Sequence, residues 1–193
     1  MANIIILILS YLIGSVSGSF ILGRFAMGID IRKKGSGNAG TTNAIRVMGV
    51  KFGALTFFID FLKGVIAIAI VSKLSKDLLV PASLCCILGH DFPFYMNFKG
   101  GKGVATTVGC MTMIDIRLGA LLGIIWAIGI LLTKIVSIGS ILLFICLTPL
   151  YLFLGHSQYL FIIIIIGVLG IYRHQSNIIR LKNKQEPKIG GKK

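Results

Sequence analysis

Three stretches of this chain gather residue types that handle phosphate groups. The first runs from Arg32 to Arg46 and holds glycines at 35, 37 and 40. Glycine-rich turns expose backbone N–H groups in concave nests that receive anions, and Ser36, Asn38, Thr41, Thr42 and Asn43 add neutral donors. Arg46 closes the stretch with a forked guanidinium suited to bidentate phosphate contact. The Gly-x-Gly-x-x-Gly spacing matches a dinucleotide fingerprint, but no strand precedes it and no βαβ unit surrounds it, so the match alone is weak. The second stretch, Gly89 to Thr107, carries His90 and then Gly100, Gly101, Lys102 and Gly103. It is not a Walker A loop: Gly103, not Ser or Thr, follows Lys102, and Met96 occupies the position of the upstream glycine. What remains is a glycine-flanked lysine entering an apolar segment, where a point charge meets phosphate near a helix N-terminus. The third stretch, Tyr172 to Arg180, follows an apolar run. If the helix continues through it, His174, Asn177 and Arg180 share one face at three-residue spacing.

Isolated polar residues inside apolar runs add to this set. Asp60 and Lys63 interrupt Phe52 to Val71, and an ionisable residue in lipid is costly enough to signal function. Three residues apart on a helix, they can pair, so a structural ion pair and support for an active site both stand as readings. Ser137 and Ser140 follow Lys134 at the start of another run. They fit a helix cap, and Ser140 also fits a donor to substrate. The candidate substrate-binding residues are thus Gly35, Gly37, Asn38, Thr42, Asn43, Lys63, His90, Gly100, Gly101, Gly103 and Ser140. No cluster has metal-ligand spacing.

The elements that must position these residues are membrane helices. Of the 193 residues, 55% are hydrophobic and only 13% charged, against about 25% charged in ordinary soluble domains. Apolar runs at Asn3–Gly23, Phe52–Val71, Leu118–Thr133, Ile135–Leu154 and Tyr159–Tyr172 approach or reach the roughly 20 residues that cross hydrocarbon. The first lacks a basic lead-in and is followed by further spans, so it reads as a helix and not a secretory signal. Seven helices are expected, near 3–22, 52–72, 79–95, 103–115, 117–133, 136–154 and 158–173, with Val104–Ile114 the shortest. The chain reads as a single catalytic domain over 1–181 followed by a basic tail over 182–193.

Net charge is +14, and its distribution decides what it means. Arg24, Arg32, Lys33, Lys34, Arg46 and Lys51 follow the first span, Lys99 and Lys102 the third, Lys134 the fifth, and Arg173 to Lys193 the last. Lys73, Lys76 and Arg117 are left for the other side. That asymmetry puts the basic groups and the C-terminus in the cytoplasm and the N-terminus outside, and no nucleic acid is needed to explain it. Cys85, Cys86, Cys110 and Cys146 all lie in apolar stretches, without the spacing of a zinc or redox site, and read as free thiols. Gly14 with Gly18, and Gly119 with Gly123, have the four-residue spacing of close helix contacts in lipid.

Taken in order, Gly-Ser-Gly-Asn-x-Gly-x-Thr-Asn-x-x-Arg (35–46), Asp-Phe-Leu-Lys-Gly (60–64), Gly-His-x-x-Pro (89–93), Phe-Lys-Gly-Gly-Lys-Gly-Val-Ala-Thr (98–106) and Arg-His-x-x-Asn (173–177) resemble the bacterial acyl-phosphate-dependent glycerol-3-phosphate acyltransferases. The resemblance runs almost end to end. It implies a seven-helix enzyme of the bacterial inner membrane, active on the cytoplasmic side, without a cofactor. Such an enzyme moves a fatty acyl group from acyl phosphate to the 1-hydroxyl of glycerol 3-phosphate. Lysophosphatidic acid and phosphate result, as the first step of membrane phospholipid synthesis. It further implies that Ser36, Arg46, Lys102, Ser140, His174 and Asn177 form the phosphate-binding and catalytic constellation, and that the soluble enzyme making acyl phosphate is a partner. His90, His156 and His174 are followed five residues later by Tyr95, Phe161 and Ile179, so the His-Asp dyad of thioester-dependent acyltransferases is absent.

Two rival readings use the same residues. An organic-phosphate transporter predicts repeated halves and substrate groups near mid-membrane, and no repeat is visible. A basic anchor for anionic lipid accounts for the tail but leaves the glycine-rich motifs without a purpose.

Overall fold

The computed structural model describes residues 1–190. Gly191, Lys192 and Lys193, the end of the expected basic tail, lie outside the described residues. All regular structure among the described residues is helical, and the chain forms two compact units, Met1–Ile114 and Asp115–Lys193.

The first unit contains α1 (Ala2–Ser15), α2 (Gly18–Met27), α3 (Thr41–Met48), α4 (Val50–Leu74), α5 (Leu79–Asp91) and α6 (Val104–Ile114). Helix α4 is its spine, with α1, α2, α3, α5 and α6 all packed against it. Lipid tails are as apolar as leucine, so close approach of backbones, not hydrophobic transfer, holds such helices together. A side chain at Gly14 would collide with the backbone of Cys86, and one at Gly89 with that of Tyr11, so α1 and α5 touch backbone to backbone. Gly64 against Thr106, and Gly109 against Phe61, do the same for α4 and α6.

The helix expected over 3–22 is broken. Its halves, α1 and α2, meet at 43° across Val16 and Ser17. Broken backbone in a membrane needs internal partners, and the groups at the junction find them. Tyr95 Oη donates to the Ser15 carbonyl and accepts from Ser17 N–H, while Ser17 Oγ accepts from Phe20 N–H. Lys63 Nζ donates to the Val16 carbonyl, and Gly18 N–H donates to Asp60 Oδ1 at 3.4 Å. The break is therefore stabilised by residues 40 to 80 positions away in sequence, beyond the reach of local pattern.

The second unit contains α7 (Ile116–Thr133), α8 (Val136–Phe153), α9 (Leu160–Arg173) and α10 (Gln175–Lys182), with α8 packed between α7 and α9. Asp115 caps α7 by accepting from Arg117 N–H, and it pairs with Arg117 and His156 at 2.7 and 2.9 Å. Hydrogen bonds from Arg117, joined by that from His156, hold its carboxyl well below the usual aspartate range. The Gly119/Gly123 expectation is not met at Gly123, where an added side chain would touch nothing. The close contact between α7 and α8 is instead at Gly129 and Gly139. Nor does the last span run straight into Arg180, since α9 and α10 meet at 52° across His174.

Among the described residues, four helical segments are long and apolar enough to cross a membrane: Val50–Leu74, Lys76–Met96, Ile116–Thr133 and Val136–Phe153. If each bent pair acts as one span, there are six. Helix α6, the remaining member of the expected seven, has eleven residues, and its rise of about 16 Å covers roughly half of a hydrocarbon core near 30 Å thick. All four cysteines are free, with Cys86 and Cys110 buried and Cys85 and Cys146 half-buried.

Candidate active site

In the first unit the glycine-rich segment is a folded turn leading into a helix. Gly35 and Gly37 have φ of 59° and 74°, in the left-handed region that glycine enters without strain. Asn43 builds the turn from inside. Its Oδ1 accepts from Ser36 N–H at 2.8 Å, and its Nδ2 donates to the carbonyls of Ile31 and Lys34. A side chain at Gly35 would run into that amide. Asn43, expected among the substrate contacts, thus spends its amide on holding the loop. Helix α3 begins immediately after, with no side chain capping its first turn, and carries Thr42 and exposed Arg46. Arg32 anchors the entry by pairing with Asp30 at 2.7 Å, donating to the Met96 carbonyl and lying over the Phe20 ring. The hydrogen bond from Arg32 keeps the Asp30 carboxyl below its usual range.

The second glycine-rich segment folds against the first. Gly100 and Gly101 N–H groups donate to the carbonyls of Asp91 and His90, forming a narrow ribbon back onto the end of α5. Side chains at Gly100 and Gly101 would strike that ribbon and the His90 ring, and Gly103 has φ of 74°. The carbonyl of Gly100 accepts from both Asn38 Nδ2, at 3.3 Å, and Ala39 N–H. The two loops are therefore tied at one oxygen. Lys102, half-buried, sits two residues before α6.

Asp60, Lys63 and His90 form a buried cluster beneath this ribbon, with Lys63 only 4% and His90 only 5% exposed. The expected ion pair is present at 3.0 Å, and Lys63 Nζ also lies 2.7 Å from His90 Nδ1. Thr106 Oγ1 at the start of α6 donates to the Asp60 carbonyl.

In the second unit, His174 and Asn177 flank the α9–α10 bend and are both buried. His174 Nδ1 lies 2.7 Å from the Gly170 carbonyl, and its ring is 6.0 Å from that of Phe144. Ser137 and Ser140 are not caps. Ser140 Oγ donates to the Val136 carbonyl and accepts from Trp126 Nε1. Ser137 Oγ donates to Glu186, which also accepts from Asn177 Nδ2 and Arg180 Nε. Burial disfavours the Glu186 carboxylate, but these three donors outweigh it and hold the group below the usual glutamate range. Glu186 and Tyr95 were not among the expected residues. The tail that carries Glu186 returns to its own unit, with Ile189 N–H donating to the Lys134 carbonyl.

A helical membrane protein whose first unit holds two tied glycine-rich loops with an arginine and a lysine, and whose second unit holds a buried histidine and asparagine at a helix bend, fits an integral membrane enzyme acting on phosphate-bearing substrates. The profile of the glycerol-3-phosphate acyltransferase family matches residues 4–184. Glycerol-3-phosphate acyltransferases of Halalkalibacterium halodurans and Bacillus subtilis are 43% and 42% identical, covering 95% and 96% of this chain and 94% and 96% of their own. A crystal structure of PlsY (YgiH), an integral membrane glycerol 3-phosphate acyltransferase in its glycerol 3-phosphate form, superposes with a TM-score of 0.93 at 36% identity. The match covers 98% of this chain and 96% of that one. The lysophosphatidic acid form of PlsY gives 0.90. This chain belongs to the glycerol-3-phosphate acyltransferase family, and it is a multi-pass membrane enzyme.

Proposed function

We propose that this enzyme transfers an acyl group from acyl phosphate to the 1-hydroxyl of glycerol 3-phosphate, giving lysophosphatidic acid and inorganic phosphate. The observation that carries the reading is the pair of glycine-rich loops joined at the Gly100 carbonyl, with Arg46 on the helix that follows the first and Lys102 in the second. Two anion-binding loops suit two phosphate-bearing substrates, whereas a thioester donor would bring its phosphates on a distant nucleotide. An acyl phosphate is already activated, so catalysis needs a hydroxyl held against the carbonyl and charge stabilised on the departing oxygen. The hydroxyl oxygen forms the new ester bond, the carbonyl carbon–phosphate oxygen bond breaks, and the hydroxyl proton ends on phosphate.

Arg46 and Lys102 serve the phosphate charge, with Ser36, Asn38 and Thr42 supplying neutral donors and the glycines letting the loops take their tight form. Ser140, His174 and Asn177 are proposed as further groups of the reaction. A carbonyl can only accept, so the Gly170 contact puts a proton on His174 Nδ1, and in the neutral ring Nε2 is then the acceptor. That nitrogen suits passage of the hydroxyl proton, with the donor phosphate as the other route. The resemblance further supports the bacterial cytoplasmic membrane, seven crossings, an external N-terminus, a cytoplasmic active site and supply of the donor by a soluble enzyme. Purified protein should release phosphate from acyl phosphate only when glycerol 3-phosphate is present. Robust turnover with acyl-CoA and none with acyl phosphate would reject the donor.

A further inference from the structure

Lys63 Nζ meets three acceptors: the Val16 carbonyl, Asp60 Oδ1 at 3.0 Å and His90 Nδ1 at 2.7 Å. An ammonium has three N–H donors and no lone pair, so these contacts account for all of its hydrogen-bonding capacity. Beside the Asp60 carboxylate, Lys63 is the charged form, and its contact with His90 requires a lone pair on Nδ1. The competing arrangement, an Nδ1–H donating to Asp60, has a separation of 3.6 Å, beyond a hydrogen bond. It would also set two N–H groups face to face with Lys63. The imidazole is therefore neutral with its proton on Nε2.

That second nitrogen is the one turned to the glycine ribbon. A methyl group added at Gly101 would land on Nε2, while Gly101 N–H donates to the His90 carbonyl from the other side. We propose that Asp60 and Lys63 hold His90 as its Nε2–H tautomer. With its Nε2–H edge packed against Gly101, the ring seats the Lys99–Gly103 loop for the phosphate of glycerol 3-phosphate. The second half rests on the phosphate-binding role proposed above for that loop. His90 and Lys63 are then positioning residues, acting on substrate through the loop. The same ammonium holds the Val16 carbonyl, so one buried charge fixes both the α1–α2 break and the state of the histidine. This gives a purpose to a buried ion pair that contributes little net stability by itself.

The test uses full-length enzyme labelled with ¹⁵N-histidine, the His90 signals being assigned by loss in His90→Gln. The ring of the wild-type enzyme should show a protonated Nε2 and an unprotonated Nδ1. A glutamine amide reaches the Nε2 position and an asparagine amide the Nδ1 position. His90→Gln should therefore stay within about threefold of wild type in KM for glycerol 3-phosphate, while His90→Asn raises it about tenfold or more, with kcat changing less. Lys63→Met strands a buried carboxylate and can fail to fold, so Asp60→Asn/Lys63→Met, which removes both charges at similar volume, is measured beside it. The folded double variant should lose the single tautomer and show the same rise in KM. An Nδ1–H or doubly protonated ring in wild type overturns the proposal, as does equal behaviour of His90→Gln and His90→Asn. Absence of acyl phosphate turnover in wild type would instead sink the donor reading and leave the ring spectrum standing.

Discussion

Gly170 offers His174 only a carbonyl, while Lys63 offers His90 only donors, so two buried histidines of one chain are set to opposite tautomers by their neighbours. His174 keeps an accepting nitrogen suited to a hydroxyl proton. His174→Ala and Asn177→Ala should lower turnover by roughly 10²–10⁴-fold in folded protein, and near-normal kcat in both variants would reduce the bend to structure. Arg46 is exposed on α3, and its value lies in the planar fork, so Arg46→Lys should impair the enzyme substantially despite retaining charge. Kinetics indistinguishable from wild type would show that a point charge suffices. Residue types and order alone nominate these groups, because phosphate chemistry draws on a small alphabet of Gly, Ser, Asn, Arg and Lys. They could not separate Asn43, whose amide holds the loop from within, from Asn38, which ties two loops together. Nor did anything mark Glu186, a lone acid in a basic tail that becomes a hub only when the tail folds back. Its pKa is lowered on folding, so the stability it adds is present above the unfolded glutamate pKa and is lost as pH falls through the lower folded one. Glu186→Gln should flatten that acid limb in a detergent melting series, and an unchanged pH profile would deny the carboxylate this role.

At the scale of elements, unbroken apolar runs predict helices well, and α4, α7 and α8 begin and end within about two residues of expectation. Hydropathy cannot see breaks, since Val16 and Ser17 are ordinary membrane-helix residues and the groups that hold them open lie on α4 and after α5. The same holds for the α9–α10 bend, which places His174 at a corner just past the expected end of the last span at 173. Tyr95 offers a direct test of the first break because its hydroxyl touches two backbone groups there. Tyr95→Phe keeps the ring but strands one carbonyl and one N–H, so it should cost about 1–3 kcal/mol. The expected result is a lower Tm with the helical content retained. An unchanged Tm would show that the break is held without it.

For the molecule as a whole, topology turns on α6, because its crossing decides on which side everything after it lies. Eleven residues are too few to span alone, yet contacts within the first unit show what completes the path. Thr106 bonds Asp60, Gly109 packs on Phe61 and Cys110 lies on Gly64, so α6 runs parallel to α4 and starts beside its middle, roughly 15 Å along from Val50. The chain before it is irregular but buried at Gly100, Gly101 and Gly103, the one setting in which open backbone is tolerated at membrane depth. In the proposed seven-span topology, loop and helix together make the crossing, entering from the basic side and leaving toward the end of α4. Without that crossing, Lys134 and the whole cluster from Arg173 to Lys188 would move outside, and the positive-inside asymmetry would collapse. In a cysteine-free background, Lys188→Cys should react with an impermeant thiol reagent only after the inner face is opened, and Lys76→Cys should react in intact cells. Both positions are exposed. Labelling of Lys188→Cys in intact cells would remove the α6 crossing and with it the seven-span topology.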